Sequence, residues 1–194
     1  MTEDQFRFLS RRARIARSRM GIVAVDSRGF AAISRADARV LVLGTLPGRV
    51  SLETGEYYSQ PRNSFWRIVA ELLGPLVEPS YELRKRQLIE NRIALWDVLA
   101  SGDRVGSLDS RIKLSTTVTN DFRTFFNAHK HVELICFNGG MAAKIYERKV
   151  LSDLSVDLRQ IPRRVLPSTS PANTTMRFGQ KLSSWRSLRR SDIP

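Results

Sequence analysis

The sequence predicts a layered α/β fold built on a parallel sheet. Three observations carry that expectation. Four short apolar runs, at residues 40–43, 93–96, 134–137 and 165–166, are each bounded by turn signals and have the length of strands. Segments of helical periodicity separate them, the alternation that parallel strands joined by crossover helices require. The chain has 194 residues, 42% hydrophobic and 8% aromatic, which at roughly 100–200 residues per domain is enough for one core without staples.

The elements follow in order. Phe6, Leu9, Ala13, Ala16 and Met20 recur at spacings of three and four, with arginines between them and Gly21 after. This is an amphipathic helix over residues 4–20, which docks by its apolar stripe or grips a polyanion by its basic face. After the first run, Phe65, Trp66, Ile68, Val69, Leu72 and Leu73 form a helical stripe that ends at Gly74-Pro75. Residues 81–91 form a second helix, rich in Arg and Lys. Residues 120–128 read as a helix opened by Asn120-Asp121, and a helix over 140–150 follows the third run directly. Phe178, Leu182 and Trp185 mark the last stripe. Residues 1–38 thus read as a basic helix and lead-in, and 39–194 as one globular unit.

The charge limits the partners. Against 19 acidic residues stand 32 Lys and Arg, a formal net charge of +13, which selects polyanions, nucleic acid before an anionic membrane surface. The apolar content and the absence of low-complexity tracts exclude a disordered basic tail. One cysteine, Cys136, excludes an internal disulfide, a four-cysteine zinc site and an iron–sulfur cluster held by several thiolates. It fits a reducing compartment, and a cytoplasmic protein is expected. No apolar run approaches the ~20 residues of a membrane span. The N-terminus lacks a secretory apolar stretch, and Glu3 and Asp4 argue against a transit peptide.

In an open α/β sheet, ligands bind at the carboxyl ends of the strands. Behind the first run lies Gly44-Thr45-Leu46-Pro47-Gly48-Arg49-Val50-Ser51, followed by Tyr57-Tyr58-Ser59-Gln60-Pro61-Arg62-Asn63-Ser64-Phe65-Trp66. A glycine-rich strand exit lets backbone approach a ligand closely. G-x-G-x-x-G and Gly-Lys-Ser/Thr are both absent, which speaks against dinucleotide binding and phosphate hydrolysis. Read residue by residue, Asn63 serves equally as a helix cap and the two tyrosines as packing. Behind the last run, Leu166-Pro167-Ser168-Thr169-Ser170-Pro171-Ala172-Asn173 offers hydroxyls and an amide on a rigid loop, or an ordinary capped turn. Phe137-Asn138-Gly139-Gly140 is a strand-to-helix turn whose N–H groups could meet a phosphate or a carbonyl.

Together with Ala94-Leu95-Trp96-Asp97, these segments resemble the uracil-DNA glycosylase superfamily, and most closely its deoxyinosine (hypoxanthine) branch, over residues 39–186. The resemblance implies a three-layer α/β/α sandwich around a mostly parallel four-stranded sheet. It also implies a monomer that flips a deaminated base from DNA and hydrolyses its glycosidic bond. No metal, cofactor or membrane is expected. By position, Tyr58 would stack on the base. Gly44, Thr45, Leu46, Pro47, Gly48 and Asn138 would line the pocket, and Asn63 would orient water or base. Several branches hold the water with Asn or Asp where this chain has Leu46, and place His or Asn where it has Leu166. Asp97 is therefore the acidic alternative. Ser168, Thr169, Ser170 and Asn173 would press on the strand, while Arg49, Ser51, Arg62, Arg163 and Arg164 would hold phosphates without reading sequence. The rival readings are a non-catalytic nucleic-acid binder on this scaffold and a basic domain that docks on membranes or proteins.

Overall fold

A computed structural model describes residues 24–77, 80–106 and 108–188. The helix expected over residues 4–20 lies outside them. In chain order the elements are β1 (Ala24–Arg28), β2 (Val40–Gly44), α1 (Arg49–Thr54), α2 (Phe65–Leu73), α3 (Tyr81–Glu90), β3 (Ile93–Asp97), β4 (Leu99–Val105), β5 (Val118–Thr119), α4 (Phe122–Ala128), β6 (Leu134–Asn138), α5 (Gly140–Lys149), α6 (Val156–Gln160), β7 (Arg163–Leu166) and α7 (Phe178–Trp185). Short 3₁₀ turns join some of them.

The central sheet runs β3-β2-β6-β7, and each of these pairings is parallel. Every residue of β2 and β6 is buried, which explains why both read as unbroken apolar runs: each strand is covered on two faces. The period-two alternation of side chains divides the core. Leu41, Leu43, Ile135 and Phe137 pack with Phe122, Phe125, Phe126 and Tyr146 of α4 and α5. Val40, Val42, Leu134 and Cys136 pack on the other side with Phe65, Ile68, Leu88 and Trp185 of α2, α3 and α7. This is the three-layer sandwich. The cap of α4 is Asp121, whose Oδ1 accepts from Thr124 N at 3.0 Å. Asn120 instead donates from Nδ2 to the Asp97 carbonyl at 2.8 Å and fixes the end of β3.

The sequence reading omitted a second sheet. β1, β4 and β5 form an antiparallel layer in the order β1-β4-β5, and β4 starts two residues after β3 ends. Its sequence, Leu-Ala-Ser-Gly-Asp-Arg-Val, has no alternating apolar pattern and so gave no strand signal. Ile33 bridges Leu95 in both directions at 2.9 Å, covering the outer edge of β3.

The parallel register brings the carboxyl ends together. Gly44 lies opposite Asp97, and Asn138 opposite Leu166. No helix among the described residues is long and apolar enough to cross a membrane.

Candidate active site

The loop that leaves β2 is held by its carbonyls. Gly44 O accepts from Val98 N at 2.9 Å, Thr45 O from Leu99 N at 3.1 Å, and Gly48 O from Leu52 N at 2.9 Å. The carbonyls between them go to one side chain: Arg104 Nη1 donates to Leu46 O at 3.3 Å, and Nη2 donates to Pro47 O. Among the described residues, the N–H groups of Thr45, Leu46 and Gly48 donate to nothing. The loop thus turns its acceptors inward and keeps three donors free, the polarity of an anion cradle.

Gly44 is required by a close approach. A Cβ there would collide with Asp97 Oδ1 and lie 2.7 Å from Tyr58 Oη. Both side chains therefore flank the same point at the end of β2. Asp97 Oδ2, Tyr58 Oη and Thr45 Oγ1 are buried with no hydrogen-bond partner. Such atoms are rare in a folded protein and call for a reason. Asp97 is 3% exposed. Burial first, and then the Asp109 carboxylate, push its pKa up to about 8, while Arg104 pulls it down. It is therefore largely protonated at neutral pH. Burial also raises the Tyr58 hydroxyl, and the Asp97 charge adds to this.

Tyr58 is a non-glycine residue with φ of 54°, a strained conformation of a kind that gathers at functional sites. Its surroundings fix it. Its ring packs on Phe65 with centroids 4.3 Å apart, and Trp66 Nε1 donates to the preceding carbonyl, of Tyr57, at 2.7 Å. Tyr58 and Asn63 line one cavity of about 470 Å³, together with Trp66, Arg67, Arg84 and Gln87. Tyr58 both lines that cavity and brings its hydroxyl to the Gly44 end of β2, where Asp97 also lies. Asn63 Oδ1 accepts from Phe65 N at 3.0 Å, a local turn that opens α2 and leaves the amide Nδ2 as the free end.

The loop after β7 is built differently. Asn138 Nδ2 donates to Thr169 Oγ1 and Thr169 N donates to Asn138 Oδ1, both at 2.8 Å. Ser64 N and Oγ donate to Thr169 O at 3.0 and 3.2 Å, which ties the start of α2 to this loop. Trp185 Nε1 reaches Pro167 O at 2.9 Å, and Lys181 Nζ reaches Asn173 O at 2.9 Å. Burial lowers the Lys181 pKa. Gly139, with φ of 102°, lets β6 turn under the loop, where a Cβ would lie 3.1 Å from Ser168 Cβ.

The arrangement of loops on strand ends can be set beside known proteins. The family model described as the uracil DNA glycosylase superfamily matches residues 31–189. This chain belongs to the uracil DNA glycosylase superfamily. Its curated relatives include a protein named hypoxanthine DNA glycosylase from Methanosarcina acetivorans, 38% identical over 163 residues, 83% of this chain and 96% of the relative. A protein of the same name from Methanosarcina barkeri is 33% identical over 136 residues, 66% of this chain and 85% of the relative. The fold is also similar to the solution NMR structure of an M. acetivorans protein proposed to be a uracil DNA glycosylase. That match has a TM-score of 0.68 and 34% identity, and covers 84% of this chain and 98% of the other.

Within this superfamily member, the residues singled out from sequence fall into three groups. Gly44, Tyr58 and Asp97 meet at one point, the Thr45 side chain lies toward Asp109, and Asn63 lines the same cavity as Tyr58. Several others are buried. Leu46 packs its side chain in the core, so only its backbone faces the loop. Asn138 spends its amide on Thr169, which is 1% exposed and whose hydroxyl accepts from it. Ser51 is buried and accepts from Ser59 N and Ser59 Oγ at 3.4 Å. Of the remaining expected phosphate contacts, Arg49 is exposed and pairs with Glu53 at 2.7 Å, and Arg62 is exposed between Pro61 and Asn63, which line the cavity. Arg163 and Arg164 are exposed on the edge strand β7, opposite Ile135 and Cys136 and below the strand ends. Ser168 and Ser170 accept from Ser170 N and Ala172 N, each at 3.2 Å.

The sequence reading missed Arg104, Asp109 and Lys181. Arg104 sits in the strand that had no pattern. Lys181 was legible, since it falls three residues after Phe178 and four before Trp185, on the apolar face of α7.

Proposed function

We propose that this protein is a monofunctional DNA glycosylase that flips a deaminated base, hypoxanthine or uracil, out of DNA and hydrolyses its N-glycosidic bond, leaving an abasic site. The observation that supports this most is the concentration of unpartnered donors where β2 ends. Departure of the base from C1′ passes through an oxocarbenium-like sugar while negative charge develops on the leaving base. Fixed donors in a water-poor site then contribute more than a strong nucleophile. The N–H groups of Thr45, Leu46 and Gly48, with the Thr45 hydroxyl, make no hydrogen bond among the described residues and would meet that charge.

Tyr58, backed by Phe65, offers its free face for stacking, which returns roughly 1–3 kcal/mol against the few kcal/mol of extrusion. Asn63 orients water or base through its amide; it is no general base. Asp97 enters as a neutral acid that donates a hydrogen bond to the base, since its raised pKa removes the carboxylate that a base would need. The names of the two relatives support a deaminated base as substrate. Lys181 is spent on the Asn173 carbonyl, and no lysine belongs to the pocket segments, which supports hydrolysis without a Schiff base. Arg49, Arg62, Arg163, Arg164, Ser168, Ser170 and Asn173 would hold the phosphate backbone.

The test is a panel of labelled oligonucleotides carrying uracil, hypoxanthine or xanthine, single- and double-stranded, read on gels with and without alkali. Alkali-labile sites at the modified base are the expected result. Absence of such sites on every substrate would leave a non-catalytic DNA binder on this scaffold.

A further inference from the structure

Arg104 comes from the antiparallel sheet, outside every motif that suggested the function, yet it is 1% exposed and lies under the 44–48 loop. Its guanidinium takes Leu46 O, Pro47 O and Gly106 O, with Asp109 Oδ1 at 3.5 Å. Burial works against its charge, and Asp109 and Asp97 favour it. A surface arginine needs no such arrangement, and a buried one costs several kcal/mol of desolvation unless its setting repays it.

We propose that Arg104 is the positioning residue of the base pocket: by drawing two consecutive carbonyls of the 44–48 loop beneath it, it turns the Gly48 N–H toward the flipped base and keeps the Leu46 carbonyl away from it. The proposal rests on the glycosylase reading above. The geometry follows from the peptide bond. In a trans peptide the C=O and N–H point in opposite directions, so a Pro47 carbonyl held by Arg104 turns the Gly48 N–H away from it. Pro47 has no N–H, so the Leu46 carbonyl would otherwise present only its negative end to the leaving base. The other loop carbonyls are held by neighbouring backbone, so Arg104 supplies what Val98, Leu99 and α1 do not reach. Its charge also lies beneath the site where the anion develops, in a region of weak screening. The ionisable groups around Asp97 are Arg104 from β4, Asp109 from the following turn, and Tyr57 and Tyr58 from the loop before α2.

Two substitutions separate charge from geometry. Arg104→Lys keeps a cation but cannot fork to two carbonyls; Arg104→Gln loses the charge as well. Single-turnover excision should fall about 10-fold in the first and about 10²-fold in the second, as expected for a displaced catalytic group. Affinity for undamaged duplex should stay within about 2-fold. The alkaline limb of the rate profile should hold its position in Arg104→Lys. In Arg104→Gln it should move to higher pH, because the cation that lowers the Asp97 pKa is gone. If Arg104→Gln fails to fold, Asp109→Asn provides the second arm: removing that carboxylate should move the limb to lower pH. Rates within 2-fold of wild type in folded Arg104→Lys, or an alkaline limb that neither neutral variant moves, would overturn the proposal. An inactive wild-type protein would instead overturn the glycosylase reading.

Discussion

Where β2 ends, the N–H groups of Thr45, Leu46 and Gly48 and the side-chain oxygens of Thr45, Tyr58 and Asp97 make no hydrogen bond among the described residues. In the loop after β7, the side chains of Ser168, Thr169, Ser170 and Asn173 are spent on one another's backbone, on Ala172, on Thr175 or on Asn138. Both segments follow a strand of the same sheet, both are rich in small polar residues, and both looked equally suited to ligand contact in the sequence. An unmet buried donor costs about 1–3 kcal/mol, so the first segment is destabilising by itself and the second is not. In the proposed function the first serves ligand chemistry and the second shape. Substitutions in the second should therefore register in stability, and those in the first in rate.

The largest effect is expected from Trp185→Ala, which empties a fully buried site and removes the anchor on Pro167 O. Denaturant unfolding should show a loss of about 3–5 kcal/mol. A smaller loss, about 1–3 kcal/mol, should follow Asn138→Leu, which strands the Thr169 N–H and hydroxyl. If either variant stays stable but loses excision, the comparison breaks.

Asp97 tests the other side. Its pKa of about 8 in the folded chain exceeds the usual ~3.9 of the unfolded carboxyl, so between those values the folded state binds the extra proton and stability falls as pH rises. The Tm of the wild type should decline from pH 4 to 8, and Asp97→Asn should remove much of that slope while reducing excision. An unchanged slope would place the carboxylate in water. The smallest effect belongs to Arg62→Gln at the exposed rim: affinity should drop equally for all duplex sequences, and the salt slope should flatten by ~1.

Much of this was legible in the chain. The four strands of the central sheet and the helices over Phe65–Leu73, Tyr81–Glu90 and Phe178–Trp185 follow apolar runs and stripes that burial on two faces makes conspicuous. The antiparallel sheet was not legible, because β4 is held by backbone pairing and by Gly102 packed on Thr117, neither of which leaves an apolar period. The site divides in the same way. Tyr58, Asn63 and Asp97 stood out by residue type beside strand exits. The burial of Thr169 and Ser51 was not legible, because a hydroxyl in a polar loop looks the same in sequence whether it faces solvent or a neighbouring polar group. Arg104 carried no local signal, since its partners are the carbonyls of Leu46 and Pro47, remote in sequence.

Glycosylase action at this site is tested most directly by a paired single-turnover measurement of free-base release by wild type and Asn63→Ala on a deoxyinosine duplex, with binding measured on the same samples. The wild type should release hypoxanthine and leave a strand that breaks only in alkali. Asn63→Ala should bind equally well and release it about 10²–10³-fold more slowly, the effect of removing one fixed polar group from a charge-stabilising site. Strand cleavage without alkali, or undiminished release by Asn63→Ala, would contradict it.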